Sequence, residues 1–115
     1  MRQASKTVSS KDDAGVSGGY IDKMTLQSGA GILFSLFGYN SGSAQWIHIH
    51  DAASQPANGT VPMHTFKIGA TDNYSVIIPL TGINFSKGCQ VCVSTTGPTT
   101  TIGAKEVTML ATLLA

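Results

Sequence analysis

Charge is what this sequence has least of: Asp, Glu, Lys and Arg make up 11% of its 115 residues, against roughly 25% in an ordinary globular domain. Five of the charged residues (Arg2, Lys6, Lys11, Asp12 and Asp13) fall within the first thirteen positions, so the body of the chain is nearly uncharged. A small protein that stands alone carries interspersed charge for solubility. This body therefore either presents water with Ser, Thr, Asn and Gln or has its surface covered by neighbours. The formal net charge of +1 supplies no broad field for nucleic acid or anionic membrane, and neither is expected as a partner. Long apolar runs are also missing. The longest, Gly29 to Gly38, is broken by Ser35 and falls well short of the roughly 18–20 residues of a membrane-spanning helix. Met1 to Ser10 are polar and hold no apolar signal segment, so cytoplasmic synthesis of a soluble chain is expected. Two cysteines three apart cannot build a disulfide framework.

Catalytic signatures are absent too. There is no G-x-S-x-G elbow, P-loop or Rossmann glycine pattern, and Asp22, Asp51, Asp72 and Glu106 stand isolated near turns or strand ends. No catalytic residue and no enzyme activity are expected, and Asp51 and Asp72 read as turn caps.

The length suits one domain of about 100–200 residues. Residues 1–19 hold little aliphatic material and end in Ser17-Gly18-Gly19, so they read as a flexible N-terminal arm that reaches about 60 Å if extended at roughly 3.3 Å per residue. From Tyr20 to Ala115, short β-rich runs alternate with Gly, Pro, Asn and Asp, and no helical periodicity is seen. The expected strands are 20–27, 30–38, 44–50, 63–68, 74–80, 83–85, 89–94 and 106–114. These amount to an all-β domain, about eight strands in a two-sheet sandwich. In Trp46-Ile47-His48-Ile49-His50, alternation puts the two Ile on the core face and Trp46, His48 and His50 on the outer one. Likewise Cys89, Val91 and Val93 share one face and Gln90, Cys92 and Ser94 the other.

Two constellations invite a metal reading. His48-x-His50 brings two imidazoles about 6–7 Å apart on one strand face, His64 is a third candidate, and Gly42 six positions earlier reproduces the opening of the cupin metal motif. The acidic ligand of that motif is missing, with Ser54 and Gln55 in its place. Cys89-x2-Cys92 on a strand sends its sulfurs to opposite faces, there is no second Cys pair, and no helix follows to activate a thiol. No metal and no cofactor are expected, even from a combined set with His48 and His50.

The stretches His50 to Pro62, Asn84 to Thr96 and Thr99 to Gly103 (HDAASQPANGTVP, NFSKGCQVCVSTT and TTTIG) resemble a family of small virion proteins of tailed bacteriophages. The resemblance covers about residues 20–115 and implies a β-sandwich with a structural role. The expectation is a jelly-roll-like capsid decoration (cement) protein on the outer capsid surface of the virion, binding the major capsid protein and itself, as a trimer at local threefold positions. A head-fibre, tail or adaptor subunit is the alternative within that class. Outside it, a glycan or small-molecule binding module would stack its ligand on Trp46 beside His48 and His50. A large exposed aromatic on a neutral face marks an interface, so Trp46, His48 and His50, with Arg2, Lys6 and Lys11 of the arm, are the expected contact residues. Half-buried imidazoles there would loosen the contact below about pH 6.

Overall fold

A computed structural model describes residues 5–12, 18–78 and 81–114. Nine strands form among the described residues: β1 (Ser5–Ser9), β2 (Lys23–Ser28), β3 (Gly31–Asn40), β4 (Gln45–Asp51), β5 (His64–Ile68), β6 (Asp72–Ile77), β7 (Ile83–Phe85), β8 (Gly88–Ser94) and β9 (Leu110–Leu114). They pair antiparallel in two sheets. One runs β1-β9-β3-β6, with short β7 also on β3, and the other runs β2-β8-β4-β5. Apart from β7, the partners β1 with β9, β2 with β8, β3 with β6 and β4 with β5 describe one long hairpin wrapped over itself. The β3–β9 and β4–β8 pairings close the wrap. This is the two-Greek-key connectivity of a jelly roll, and the expected all-β sandwich is what forms.

The inward-facing side chains follow the period-2 rule of strands. Leu33 and Leu36 of β3, Ile47 and Ile49 of β4, Val91 and Val93 of β8 and Leu113 of β9 are fully buried between the sheets. Burying such aliphatic side chains is worth roughly 1.5–3 kcal/mol each, which pins the register. A bulge between Leu33 and Ser35 keeps both Ile32 and Ser35 on the outer side of β3 while Leu33 points inward.

The eight expected strands are found with shifted ends, and two differences carry physical content. Strand 106–114 is regular only from Leu110. Ahead of it the Tyr39 N–H donates to Thr108 Oγ1 (3.0 Å), and Val107 makes only isolated bridges to Ile21 and Asn40. Strand 74–80 begins at Asp72 instead, and Pro79 and Leu80 lie outside the described residues. The larger correction concerns the arm. Ser5–Ser9, expected to be free, is the marginal strand of the larger sheet, paired along its length with β9. Val8 packs on the core. Just beyond, buried Ser10 exchanges two bonds with Met109: its N–H donates to the Met109 carbonyl (2.8 Å) and its Oγ accepts the Met109 N–H (2.9 Å). The partner strand lies a hundred residues away, which is why no local pattern announces it.

Candidate functional site

The outer face of β4 is where the sequence concentrates its chemistry. Trp46 lies opposite Ser94 and Lys67, His48 opposite Cys92 and Thr65, and His50 opposite Gln90. All of these stand on the side away from Ile47 and Ile49, as alternation requires. Their exposure differs from expectation. His48 is 0% and His50 4% exposed, and Trp46 is half-buried. The cover is the chain's own. The loop from Thr95 to Thr101 folds back over the sheet, with its Gly97 so near the indole that a Cβ there would come within 3.1 Å of it. Lys67 caps the ring at 5.5 Å, a cation–π contact.

This cover is laced to a second loop. Thr100 N–H donates to the Thr60 carbonyl (2.9 Å), Gly59 N–H to the Thr100 carbonyl (2.7 Å), and Ile102 N–H to Asn58 Oδ1 (2.9 Å). Beneath them, the buried Thr100 hydroxyl sits 2.8 Å from His48 Nδ1 and 2.8 Å from His50 Nε2. One hydroxyl has one proton to give, so it donates to one ring and accepts from the other. His48 Nε2 is buried with no hydrogen-bond partner. Gln90 is occupied, accepting from Thr25 Oγ1 (2.6 Å) and donating to the Ala52 carbonyl (3.1 Å). Burial pushes both imidazoles below the ordinary histidine value. Around His48 the backbone of Gly97 and Thr96 pulls the other way, whereas the charge of His48 adds to the lowering of His50. Burial thus favours the neutral form of both rings.

The remaining candidates disperse. His64 lies opposite Ile49 in the β4–β5 register, on the other face from the two imidazoles. Cys92 stands beside His48 and lies 3.5 Å from Gln55 Oε1, while Cys89 points into the core with Val91. Burial raises the Cys89 thiol to about 12, helped by the Asp51 charge, and the Cys92 thiol to about 11. Neither is a ready nucleophile. Among the described residues, no three or more His, Cys, Asp or Glu side chains are arranged to hold a metal ion. Asp51 clamps the β7–β8 turn, accepting from the backbone N–H groups of Ser86 (3.0 Å) and Lys87 (2.8 Å), and those bonds lower its pKa. Lys6 extends to Gln27 across the open side of the sandwich, Lys11 borders a surface groove, and Arg2 lies outside the described residues.

The bare surface is on the opposite side of the molecule, and the sequence reading missed it. On the outer face of the five-stranded sheet, Phe37 lies between Leu110 and Ser75. One row along, Ser35 lies between Thr112 and Ile77. Phe37, Leu110 and Ile77 are 38%, 41% and 72% exposed, and no charged side chain stands in these rows. Half-buried Ile32 and Leu114 continue the apolar strip. At its other end, a groove of about 600 Å³ runs past Tyr39, Asn73 and Lys11. The signal was available: Phe37, Leu110 and Ile77 each sit on the face of their strand opposite Leu36, Ala111 and Val76.

No family model, no curated protein and no solved structure matches this chain. Its class is therefore given by the fold: an antiparallel jelly-roll sandwich, one outer face roofed by its own loops and the other left open by the described residues.

Proposed function

We propose that this chain is a structural subunit of a tailed-phage particle, a decoration protein that binds the outside of the major capsid lattice and stabilises the head, as a trimer at local threefold positions. The observation that carries the reading is the charge-free strip of Phe37, Leu110 and Ile77 on a sheet face that no other described residue covers. Contiguous exposed apolar surface of this kind marks interaction sites. Four strands about 4.8 Å apart and seven or so residues at about 3.3 Å give a patch of roughly 400 Å², half the roughly 800 Å² per partner of a stable pairwise interface. A contact that small is weak alone and becomes strong when many copies meet a repeating lattice, where effective concentration substitutes for area.

Jelly rolls serve capsids, lectins and cupins alike, so connectivity does not choose among them. The site does more. His64 and Cys89 lie on the other face from His48 and His50, which leaves a cupin centre short of ligands. Trp46, the stacking platform of the glycan reading, is packed under Gly97. The resemblance of residues 50–62, 84–96 and 99–103 to phage virion proteins supplies the remaining support.

Quantitative mass spectrometry of purified particles tests the proposal. The expected result is this protein in fixed ratio to the major capsid subunit and released as a unit from the shell by mild denaturant. A handful of copies per particle, co-purifying with tails, would overturn it in favour of a tail or adaptor subunit. Absence from particles would overturn the virion reading altogether.

A further inference from the structure

We propose that His48, Thr100 and His50 form an acid-sensitive latch, which holds the Thr95–Thr101 loop down on the four-stranded sheet at neutral pH and releases it, uncovering Trp46, as the medium acidifies. The latch is independent of what binds the opposite face.

The argument starts from proton counting. With both rings neutral, one ring nitrogen donates to Thr100 Oγ1, and the hydroxyl proton goes to the other ring at the same 2.8 Å. Donors and acceptors match. Protonation turns the accepting nitrogen into a donor, so the hydroxyl must accept from both rings and turn its own proton toward no partner. The new cation is sealed from water and lies beside a second imidazole, with ring centroids 6.2 Å apart. A second proton makes two cations at that distance, and a buried, uncompensated charge is strongly unfavourable.

Little nearby relieves the charge: the backbone of Gly97 and Thr96 favours a protonated His48, but burial outweighs it. The two covering loops, 52–63 and 95–102, hold no titratable side chain. On β8 the facing groups are Cys92, whose thiol is neutral at these pH values, and the Gln90 amide, already engaged at both ends. On β5 they are Thr65 and Lys67, and the latter is itself a cation held over Trp46. At β2, Asp22 and Lys23 oppose one another near Cys92. Asp51 is turned to the β7–β8 turn and His64 to the other face. His48 Nε2 makes no hydrogen bond in the closed loop, and no carboxylate among the described residues stands near enough to pair with a cation there. Opening gives both rings to water and restores their affinity for protons.

The sign follows from linkage. The closed form binds protons less readily than the open form, so closure is complete above the ordinary histidine value of 6.5 and is lost as pH falls below it. Each imidazole raises the opening constant by up to tenfold per pH unit in that window, and the two together by up to a hundredfold.

Trp46 is the chain's one tryptophan and its ring touches Gly97, so its emission reports the loop directly. Fluorescence and acrylamide quenching are followed in the intact protein from about pH 7.5 to about 4.5, across the range of histidine titration, with far-UV circular dichroism recorded in parallel. The expected result is rising Trp46 accessibility with an unchanged β spectrum, together with histidine Cε1 proton resonances of His48 and His50 that titrate in the same window. The double variant His48→Asn/His50→Gln keeps amide groups near both ring nitrogens without a titrating proton, and its Trp46 signal stays flat. Three results overturn the proposal: a flat wild-type signal, a Trp46 change that coincides with loss of the β spectrum, or an ordinary titration of both histidines with no Trp46 response. None of the three needs the variant, so they decide the matter even if the double variant does not fold.

Discussion

At the scale of residues, alternation alone placed Ile47 and Ile49 inward and His48 and His50 outward, and that geometry holds. What the pattern could not reveal is the roof, because Thr100 lies fifty residues from His50 and nothing local links them. A signal existed. Loops of about ten residues that face water usually carry charge, and both covering loops are almost wholly Ser, Thr, Asn, Pro, Gly and Ala. Thr100, the one fully buried residue of the two loops, sits over the imidazoles where a charge would be unpaired. Asp51 shows the opposite case, a turn cap legible from its position and found in place. Its carboxylate accepts the Ser86 and Lys87 N–H groups, bonds that favour the ionised form and depress its pKa below 3.8. The stability it contributes is therefore present above that value and lost as pH falls through the lowered folded value. Asp51→Asn is expected to lower the urea midpoint at neutral pH, with the difference from wild type shrinking as pH drops below the ordinary carboxylate range. Equal midpoints at neutral pH would show that the clamp is dispensable.

At the scale of elements, strand existence was legible because Val, Ile and Thr alternate with polar residues between Gly- and Asn-rich turns. The first strand was not. Ser5-Lys6-Thr7-Val8-Ser9 has a single apolar side chain, and it is a strand because β9 offers it a ladder and the core offers Val8 a place. Lys6 beside the sandwich's open side also makes a poor template for another chain, one way that natural sheets protect an edge. Removal of residues 1–9 is accordingly expected to destabilise the fold by about 2–4 kcal/mol, from the lost burial of Val8 and of the apolar area it covers. Chemical denaturation of the truncated chain measures this. An unchanged midpoint is what a free arm would give.

At the scale of the whole molecule, two sheets of similar size are finished differently. Loops of the same chain roof the four-stranded sheet, leaving a buried polar layer whose proton count makes it sensitive to acid. The five-stranded sheet presents Phe37, Leu110 and Ile77 to solvent. The low charge of the body, the first feature of the sequence, finds its place in both: beneath the roof a charge would be unpaired, and on the open face it would have to be stripped of water on docking. The sequence reading placed the interface on β4 because the only tryptophan is there. Which sheet face is covered depends on contacts between distant loops, and these are legible only in three dimensions.

The central claim is that the open face of the five-stranded sheet meets the capsid, and the most direct measurement is binding of purified protein to shells lacking it, wild type beside Phe37→Ser/Ile77→Lys. Both substitutions lie at exposed positions, so the variant keeps its fold and its thermal midpoint. The account predicts saturable binding of the wild type in fixed ratio to the lattice subunit and loss of at least tenfold in apparent affinity for the variant, the factor that about 1.4 kcal/mol corresponds to. Equal binding of a folded variant would contradict it.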